Sequence, residues 1–333
     1  MDLPLILALV VVFGITVYVL ADGFDLGVGI LFLIAPRNRD RDVMMESIAP
    51  FWDGNETWLV MGGGALFAVF PLAYSVIMPA LYPLLIAMLL ALILRGVAFE
   101  FRVQATHYGR ALWDAAFCGG SVLAAFCQGL ILGGLMQGIH VVGHAYAGGW
   151  WDWLNGFTLL CGFSVVVGYA LLGTCWLVWR TDGELHDRNR RYAKRLGVAT
   201  LILVGVVSVI SPWLHPQFLH RWFTWPGIAI TSPVPILMFV VAYFFRRGLQ
   251  RGDHFTPLLW AEVLFLLCFL GIIFSFYPYL IPPSVTIWQA AAPASSQSFL
   301  LVGAIVMIPA ILMYTAFSYW TFRGKVLQGA NYH

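Results

Sequence analysis

Long apolar runs with few charges between them are the feature that most constrains this chain. Of its 333 residues, 61% are hydrophobic and only 10% are charged, whereas soluble domains carry about 25% charged residues. A membrane-spanning helix needs about 20 mostly apolar residues. Nine segments meet that condition, at residues 3–34, 57–76, 78–101, 113–139, 157–179, 196–214, 227–246, 257–280 and 299–322. The sequence therefore predicts an all-α integral membrane protein in a lipid bilayer. It excludes a soluble enzyme and a nucleic-acid binder, because binding phosphates requires a concentrated basic face.

The distribution of basic residues predicts the topology. Segment 57–76 is the weakest candidate, because Gly62, Gly63, Gly64 and Pro71 disfavour a helix there. If it nevertheless crosses the membrane, every Lys and Arg except Arg221 falls on one side. Basic residues concentrate in cytoplasmic loops. We therefore expect nine spans, with the N-terminus periplasmic and the C-terminus cytoplasmic.

The connecting loops are too short for an extramembrane domain, so residues 1–333 are predicted to form a single membrane domain. A short similarity between the segments that begin at Tyr18 and Tyr169 fits two four-helix bundles, at about 3–139 and 157–280. Helix 299–322 would then be peripheral. Chance similarity between helices rich in Leu, Ala and Gly explains the match about as well.

Acidic residues inside predicted spans are the main candidates for function, because an intramembrane carboxylate is costly. Asp22 and Asp25 are three residues apart and therefore share one helix face. Neighbouring glycines allow another helix to approach that face closely. One interpretation is a proton-exchanging pair, and another is a structural ion pair between Asp25 and Arg95. The two roles are compatible.

A second polar group begins the second span, where Asp53, Asn55, Glu56 and Thr57 follow one another closely. Asp53 and Glu56 have the spacing of a helix capping box. Capping alone does not account for so many polar residues beside an apolar span. A polar entrance for protons, formed by Asp53 and Glu56, is the alternative.

The third and eighth spans add further charges. Arg95 and Glu100 are predicted as buried charges of the third span, whereas Arg102 fits a cytoplasmic anchor. Glu262 lies one to two turns into the eighth span, where either a buried or a surface carboxylate is compatible with the sequence.

Histidines give no sign of a haem ligand, which would have to lie within a span. All eight lie in loops or at span ends, namely His107, His140, His144, His186, His215, His220, His254 and His333. His140 and His144 have helical i, i+4 spacing, but without a third ligand they do not define a metal site. We predict no metal site and no catalytic residue on this chain.

Two classes of function fit these residues. A proton-coupled secondary transporter should carry ionisable groups near the membrane midplane. The acids here lie on the cytoplasmic side, which favours a non-haem subunit of a respiratory complex that takes up protons from that side.

Several motifs resemble those of one known family. They are Ala21-Asp-Gly-Phe-Asp-Leu-Gly-Val-Gly29, Ser47-Ile-Ala-Pro-Phe-Trp-Asp-Gly-Asn-Glu-Thr-Trp58, Gly63-Gly-Ala-Leu-Phe-Ala-Val-Phe-Pro71, Arg95-Gly-Val-Ala-Phe-Glu-Phe-Arg102 and Gly168-Tyr-Ala-Leu-Leu-Gly173. In order and spacing they are similar to subunit II of the cytochrome bd quinol oxidases. The short length resembles the cyanide-insensitive branch of that family.

The resemblance implies a heterodimer in the bacterial inner membrane with a haem-bearing subunit I, which holds haems b and d. Single-helix accessory subunits accompany some complexes, and some members hold a quinone in subunit II. The complex would oxidise quinol and reduce dioxygen to water, with protons drawn from the cytoplasm. It would generate protonmotive force without pumping. Asp53 would belong to a proton path at the subunit interface, and Asp25 to the haem environment or to assembly.

Overall fold

The computed structural model describes residues 2–36 and 38–326, in which thirteen α-helices and two short β-hairpins are present. Arg37 and His333, which belong to the charge and histidine patterns above, lie outside the described residues. The long helices are α1 (Leu3–Leu31), α3 (Trp52–Val69), α4 (Pro71–Gln104), α5 (His107–Gln137), α6 (Gly156–Arg180), α7 (Gly183–Ile210), α10 (Pro233–Arg251), α11 (Thr256–Phe276) and α13 (Ala294–Thr321). The short helices are α2 (Asn38–Ile48), α8 (Pro216–Phe223), α9 (Gly227–Thr231) and α12 (Ile287–Ala290).

The hairpins lie in loops between long helices. Strands β1 (Val141–Val142) and β2 (Ala145–Tyr146) pair antiparallel, as do β3 (Tyr279–Ile281) and β4 (Val285–Thr286). Each hairpin joins helix ends on the side of the bundle opposite the basic loops. We call the side with the basic loops the basic face; it carries α2 and loops 105–106, 181–182 and 252–255.

Eight helices of the described chain are long and apolar enough to cross a membrane, and α3 is not among them. Its contacts nevertheless span the bundle. At one end the Asn55 side chain contacts α1 near the basic face, and at the other the Val69 carbonyl accepts a hydrogen bond from Ala292 in the opposite loop. At about 1.5 Å per residue, its 18 residues extend about 27 Å, close to the thickness of the hydrocarbon core. Nine helices of the described chain therefore traverse the bundle, as the charge pattern predicts.

The predicted boundary between the second and third spans, near residue 77, is wrong. The chain turns at Phe70, whose backbone is non-helical, and Pro71 begins α4. A residue that precedes proline is disfavoured in the helical region, and proline is favoured in the first helical turn. Pro79 and Pro83 lie inside α4 without ending it.

By chain order the long helices divide into a first group, α1, α3, α4 and α5, and a second group, α6, α7, α10 and α11. The two groups share a broad interface, because α6 packs against α1 and α5 as well as against α7, and α13 packs against α1 and α3. The groups meet where α1 crosses α6. There a Cβ atom added to Gly27 would lie 1.9 Å from the Tyr169 carbonyl oxygen, so only glycine permits this approach. This close crossing brings the polar residues of α1 into the centre of the protein.

Candidate functional site: a buried charge cluster

The charge cluster consists of Asp22 and Asp25 on α1 and Arg95 on α4, all with no solvent exposure. Arg95 Nη1 donates to Asp22 Oδ1 at 2.9 Å, and Arg95 Nη2 lies 4.0 Å from Asp25 Oδ2. The structure therefore refines the predicted ion pair. Asp22 is the direct partner of Arg95, and Asp25 is the more distant carboxylate.

Asp25 has its own polar partner from α3. Asn55 Nδ2 donates to Asp25 Oδ2 at 2.7 Å and to the Ala21 carbonyl at 3.2 Å. The Tyr319 hydroxyl of α13 donates to Asn55 Oδ1 at 3.0 Å. The fully buried Asn55 amide thus links helices α1, α3 and α13 around one carboxylate. The sequence pattern indicates Asn55 only as a polar residue of the entrance, and it gives no sign of Tyr319.

A second hydrogen-bonded chain reaches Asp22 from the other side. The hydroxyl of Tyr18, one turn before Asp22 on α1, interacts with that carboxylate. Gln128 Nε2 donates to the Tyr18 hydroxyl at 2.7 Å, and the Tyr169 hydroxyl donates to Gln128 Oε1 at 2.8 Å. The two tyrosines that suggested an internal repeat therefore meet at one glutamine of α5.

Several polar atoms of the cluster have no hydrogen-bond partner among the described residues. They are Asp22 Oδ2, Asp25 Oδ1, Arg95 Nε and Arg95 Nη2. Buried polar atoms are normally paired, and unpaired ones are costly. With both carboxylates ionised, one guanidinium leaves a net charge of −1 in a region without solvent. One added proton would neutralise the cluster, so its composition suits the binding and release of a proton.

Asp53 and Glu56 lie between this cluster and the basic face. Asp53 is exposed in the first turn of α3, and Glu56 is half-buried one turn later. Glu56 interacts electrostatically with Asp53, Asp22 and Arg95. The capping-box alternative is wrong, because Phe51 is the N-cap of α3 and no side chain caps the helix.

The prediction that Glu100 is a buried charge is wrong. Its side chain is exposed on α4, more than one turn beyond Arg95. The five-residue separation rotates Glu100 away from the face that carries Arg95, since a helix repeats every 3.6 residues. A role for Glu100 in assembly stays a prediction.

A second ionic network lies nearer the basic face, and sequence analysis missed it. Arg102 and Asp114 are both buried and paired, and Arg102 also contacts Asp42 of α2 at 2.7 Å. Arg41 binds the other Asp114 oxygen at 2.9 Å. Arg102 is therefore more than the exposed anchor that its position predicted. Asp114 could have been found as an acid just inside the fourth predicted span.

In α2, outside the spans, burial raises the pKa of the Glu46 carboxyl, with a further increase from Asp42 and an opposing effect of Arg102. At the end of β2, burial and the nearby Asp152 raise the pKa of Tyr146 to about 12. The Tyr146 hydroxyl therefore stays a donor to the Gly149 carbonyl at 2.6 Å over the physiological pH range. Neither group contacts the charge cluster.

Glu262 is half-buried on α11, in the second group of helices, and its Oε2 atom has no hydrogen-bond partner among the described residues. It therefore differs from a carboxylate that reaches into solvent. Glu262 belongs to the other helix group and forms no contact with the Asp22–Arg95 pair that the structure describes. Glu262 interacts electrostatically with Tyr169 and Tyr319 at the edge of the charge cluster, so it is a comparison for a half-buried carboxyl close to the cluster but outside the Asp53–Glu56–Asp25 series.

Side chains that could ligate a metal lie apart from one another in the part of the chain that the structure describes. Within residues 2–36 and 38–326, no three His, Cys, Asp or Glu side chains come together to form a metal site. The buried His186 lies near the start of α7, where its Nδ1 atom is 2.9 Å from the Val178 carbonyl. His186 therefore lies at a helix end, whereas an axial haem ligand would be expected within a span.

Fold and site together define a multi-pass helical membrane protein with protonatable groups buried near one face. Residues 3–322 match the family model described as cytochrome bd terminal oxidase subunit II. The chain belongs to this family. The match favours an oxidase subunit over the transporter alternative.

Individual relatives agree with this assignment. The cytochrome bd-I ubiquinol oxidase subunit 2 of Escherichia coli K12 is 30% identical, over 93% of this chain and 91% of the relative. The cytochrome bd ubiquinol oxidase subunit 2 of Bacillus subtilis 168 is also 30% identical, over 98% and 96%. The fold is similar to a chain of the bd oxidase from Geobacillus thermodenitrificans, with a TM-score of 0.73, 11% identity and coverage of 97% and 98%.

Proposed function

We propose that this chain is the non-haem subunit II of a bd-type quinol oxidase in the bacterial inner membrane. With a haem-bearing subunit I it would support oxidation of quinol and four-electron reduction of dioxygen to water. Haems b and d of that partner would supply the electron transfer and oxygen chemistry. The family match and the relatives named as ubiquinol oxidase subunits support this proposal.

The task proposed for this chain is to bring protons to its partner from the basic face. The observation that carries this proposal is the gradient of exposure along α3 and α1. Asp53 is exposed, Glu56 is half-buried, and Asp22 and Asp25 have no solvent exposure. Glu56 interacts electrostatically with Asp53 on the exposed side and with Asp22 and Asp25 on the buried side. These carboxyl groups, ordered by decreasing exposure, form the proposed route from solution into the protein.

In this route Asp53 accepts a proton from water, and Glu56 receives it about one turn further along α3. Asp25 is the acceptor inside the cluster, because Asp22 is engaged by Arg95 Nη1 at 2.9 Å while Asp25 lies 4.0 Å from the guanidinium. Asn55 holds the Asp25 carboxylate in place. Release of the proton from Asp25 toward the partner restores the negative charge that attracts the next one.

We further propose that the basic face is cytoplasmic. Basic residues concentrate on that side of membrane proteins. The N-terminus would then be periplasmic and the C-terminus cytoplasmic. Protons consumed from the cytoplasm would generate protonmotive force without pumping. Assembly with accessory single-helix subunits, a quinone bound by this chain and membership of the short cyanide-insensitive branch all stay predictions.

The test is Asp53→Asn in the assembled complex, with Glu100→Gln as a matched control. Both residues are exposed carboxylates near the basic face. We expect Asp53→Asn to slow quinol-dependent oxygen consumption by about tenfold or more, with unchanged haem absorption, because the first proton acceptor is lost. Glu100→Gln should keep wild-type turnover. Normal turnover of Asp53→Asn, or equal slowing of both variants, would contradict the proposal.

A further inference from the structure

The last two turns of α10 carry three arginines without an acidic partner. Arg246, Arg247 and Arg251 are exposed, and no carboxylate of the described residues forms an ion pair with them. Two arginines elsewhere on the basic face do have acidic partners, since Arg41 pairs with Asp114 at 2.9 Å and Arg188 pairs with Asp40 at 2.9 Å. Three adjacent positive charges without a counter-ion from the protein point to an anion from outside.

These arginines line a shallow, open cavity of about 420 Å³ along one face of α10. Its lining consists of Tyr243, Arg246, Arg247, Gln250 and Arg251, all of which are exposed. Guanidinium groups match phosphate oxygens because their planar N–H donors form paired hydrogen bonds. The cavity therefore offers several donors to a phosphate group and no acidic residue to repel it.

The end of a helix ordinarily disfavours an anion, because its free carbonyls carry partial negative charge. Here Arg190 of α7 offsets that charge. Its Nε atom donates to the Leu249 carbonyl at 2.8 Å, and its Nη2 atom donates to the Gln250 carbonyl at 3.2 Å. Since Arg190 satisfies these carbonyls, the arginines of α10 stay available to an external ligand.

An apolar strip continues from the cavity along the same face of α10. Ile236, Phe239, Val240 and Tyr243 recur at helical spacing and are between 41% and 78% exposed. A phosphate site at the membrane boundary next to an exposed apolar strip is complementary to a phospholipid, whose phosphate head group adjoins apolar acyl chains. Basic pockets at this position bind acidic lipid head groups.

We propose that the α10 pocket binds the phosphate head group of an anionic phospholipid from the leaflet at the basic face. Arg246, Arg247 and Arg251 bind the phosphate, and the acyl chains follow the strip from Tyr243 to Ile236. This site belongs to the second helix group. It is independent of the proton route in the first.

The test uses the intact complex, delipidated in detergent and titrated with dioleoylphosphatidylglycerol, with bound lipid counted by native mass spectrometry. The variant replaces Arg246, Arg247 and Arg251 with Gln. The control replaces Arg191, Lys194 and Arg195 of α7 with Gln, which removes the same charge from exposed positions outside the pocket. We expect the α10 variant to bind this lipid about a hundredfold more weakly, since each basic residue contributes about a factor of five.

The control should bind within about threefold of the wild type, and dioleoylphosphatidylcholine should bind poorly to all three proteins. Single Arg247→Gln gives a milder version of the test, with an expected loss of about fivefold. Equal losses in the two triple variants would overturn the proposal, as would equally tight binding of phosphatidylcholine. Displacement of the lipid by millimolar inorganic phosphate would assign the pocket to a soluble anion and overturn it as well.

Discussion

Helices α1 and α6 occupy comparable places in the two helix groups but carry different chemistry. Each contributes a glycine to their common crossing, Gly27 and Gly173, and each contributes a tyrosine hydroxyl to Gln128. Four and seven residues after its tyrosine, α1 has Asp22 and Asp25. At the same offsets from Tyr169, α6 has Gly173 and Trp176.

The consequence is visible in the packing. Trp176 is buried, stacks on Phe24 with ring centroids 4.0 Å apart, and donates to Ser47 at 3.2 Å. On α1, Phe24 stacks on Trp176, and the next residue is Asp25, whose carboxylate accepts a hydrogen bond from Asn55. One backbone arrangement thus supports an aromatic core on one helix and a charge cluster on the other. The difference places the buried charge cluster in the first helix group.

Of the variants that test this difference between α1 and α6, the one that removes the buried Arg95 cation should lose the most stability. Arg95→Met leaves Asp22 and Asp25 without their compensating charge in a region without solvent. Breaking a buried ion pair from one side typically costs about 3–5 kcal/mol. We expect a large loss of assembled complex and a lower melting temperature, measured by thermal unfolding of the purified membrane protein.

Arg188→Met is the matched control, because the Arg188–Asp40 pair is partly exposed at the basic face. Exposed ion pairs contribute about 0–1 kcal/mol, so its melting temperature should change little. Similar losses from the two variants would show that the Arg95 cluster is no more important to stability than a surface pair.

The helix crossing should be the next most sensitive feature. In Gly27→Ala the new methyl group would lie 1.9 Å from the Tyr169 carbonyl oxygen, so α1 and α6 must separate. Overpacking of this kind costs about 1–3 kcal/mol, measured as a decrease in thermal stability.

Gly205→Ala on α7 provides the comparison, since nothing lies within 4 Å of its added Cβ. Alanine is favoured over glycine in a helix by about 0.5–1 kcal/mol, so this variant should be unchanged or slightly more stable. A Gly27→Ala protein as stable as Gly205→Ala would contradict the close crossing.

Substitution of the two tyrosines that contact Gln128 should reduce stability less, and it should distinguish a structural role of these hydroxyls from a role in proton transfer. Tyr18→Phe and Tyr169→Phe each remove one hydrogen bond to Gln128, worth about 1 kcal/mol. Tyr18 also forms a hydrogen bond with Asp22, whereas Tyr169 interacts with Asp22 only electrostatically. We expect similar small losses of stability, with a changed pH profile of oxygen consumption in Tyr18→Phe alone. The same pH profile in both variants would remove Tyr18 from the function of the cluster.

The sequence was informative about the charges that are costly in a membrane. Asp22, Asp25 and Arg95 could be predicted to come together because an intramembrane charge needs a partner. The pattern of basic loops indicated that the glycine-rich second span crosses, although α3 is too polar to be recognised by hydropathy alone. Its helix boundary could not be read from hydropathy, because the apolar sequence continues through the turn at Phe70 and Pro71.

The sequence also could not show which of the two aspartates pairs directly with Arg95. Asp22 and Asp25 lie on one helix face, and only the rotation of α1 against α4 decides which one Arg95 contacts directly. Neutral polar residues such as Gln128 and Tyr319 carry no obvious signal in an apolar helix. Asp42 and Asp114 were missed because their partner, Arg102, has an ordinary explanation as an anchor at the membrane boundary.

Proton uptake by Glu56→Gln, compared with Glu262→Gln, tests the proposed route most directly. Both residues are half-buried carboxylic acids, one on α3 between Asp53 and Asp22 and the other on α11 in the second helix group. The measurement is the rate of proton uptake at the basic face, with a pH-sensitive dye, when the reduced complex in vesicles meets dioxygen. We predict slow uptake in Glu56→Gln and wild-type uptake in Glu262→Gln. Wild-type uptake in Glu56→Gln, or slow uptake in Glu262→Gln alone, would contradict a route through the first helix group.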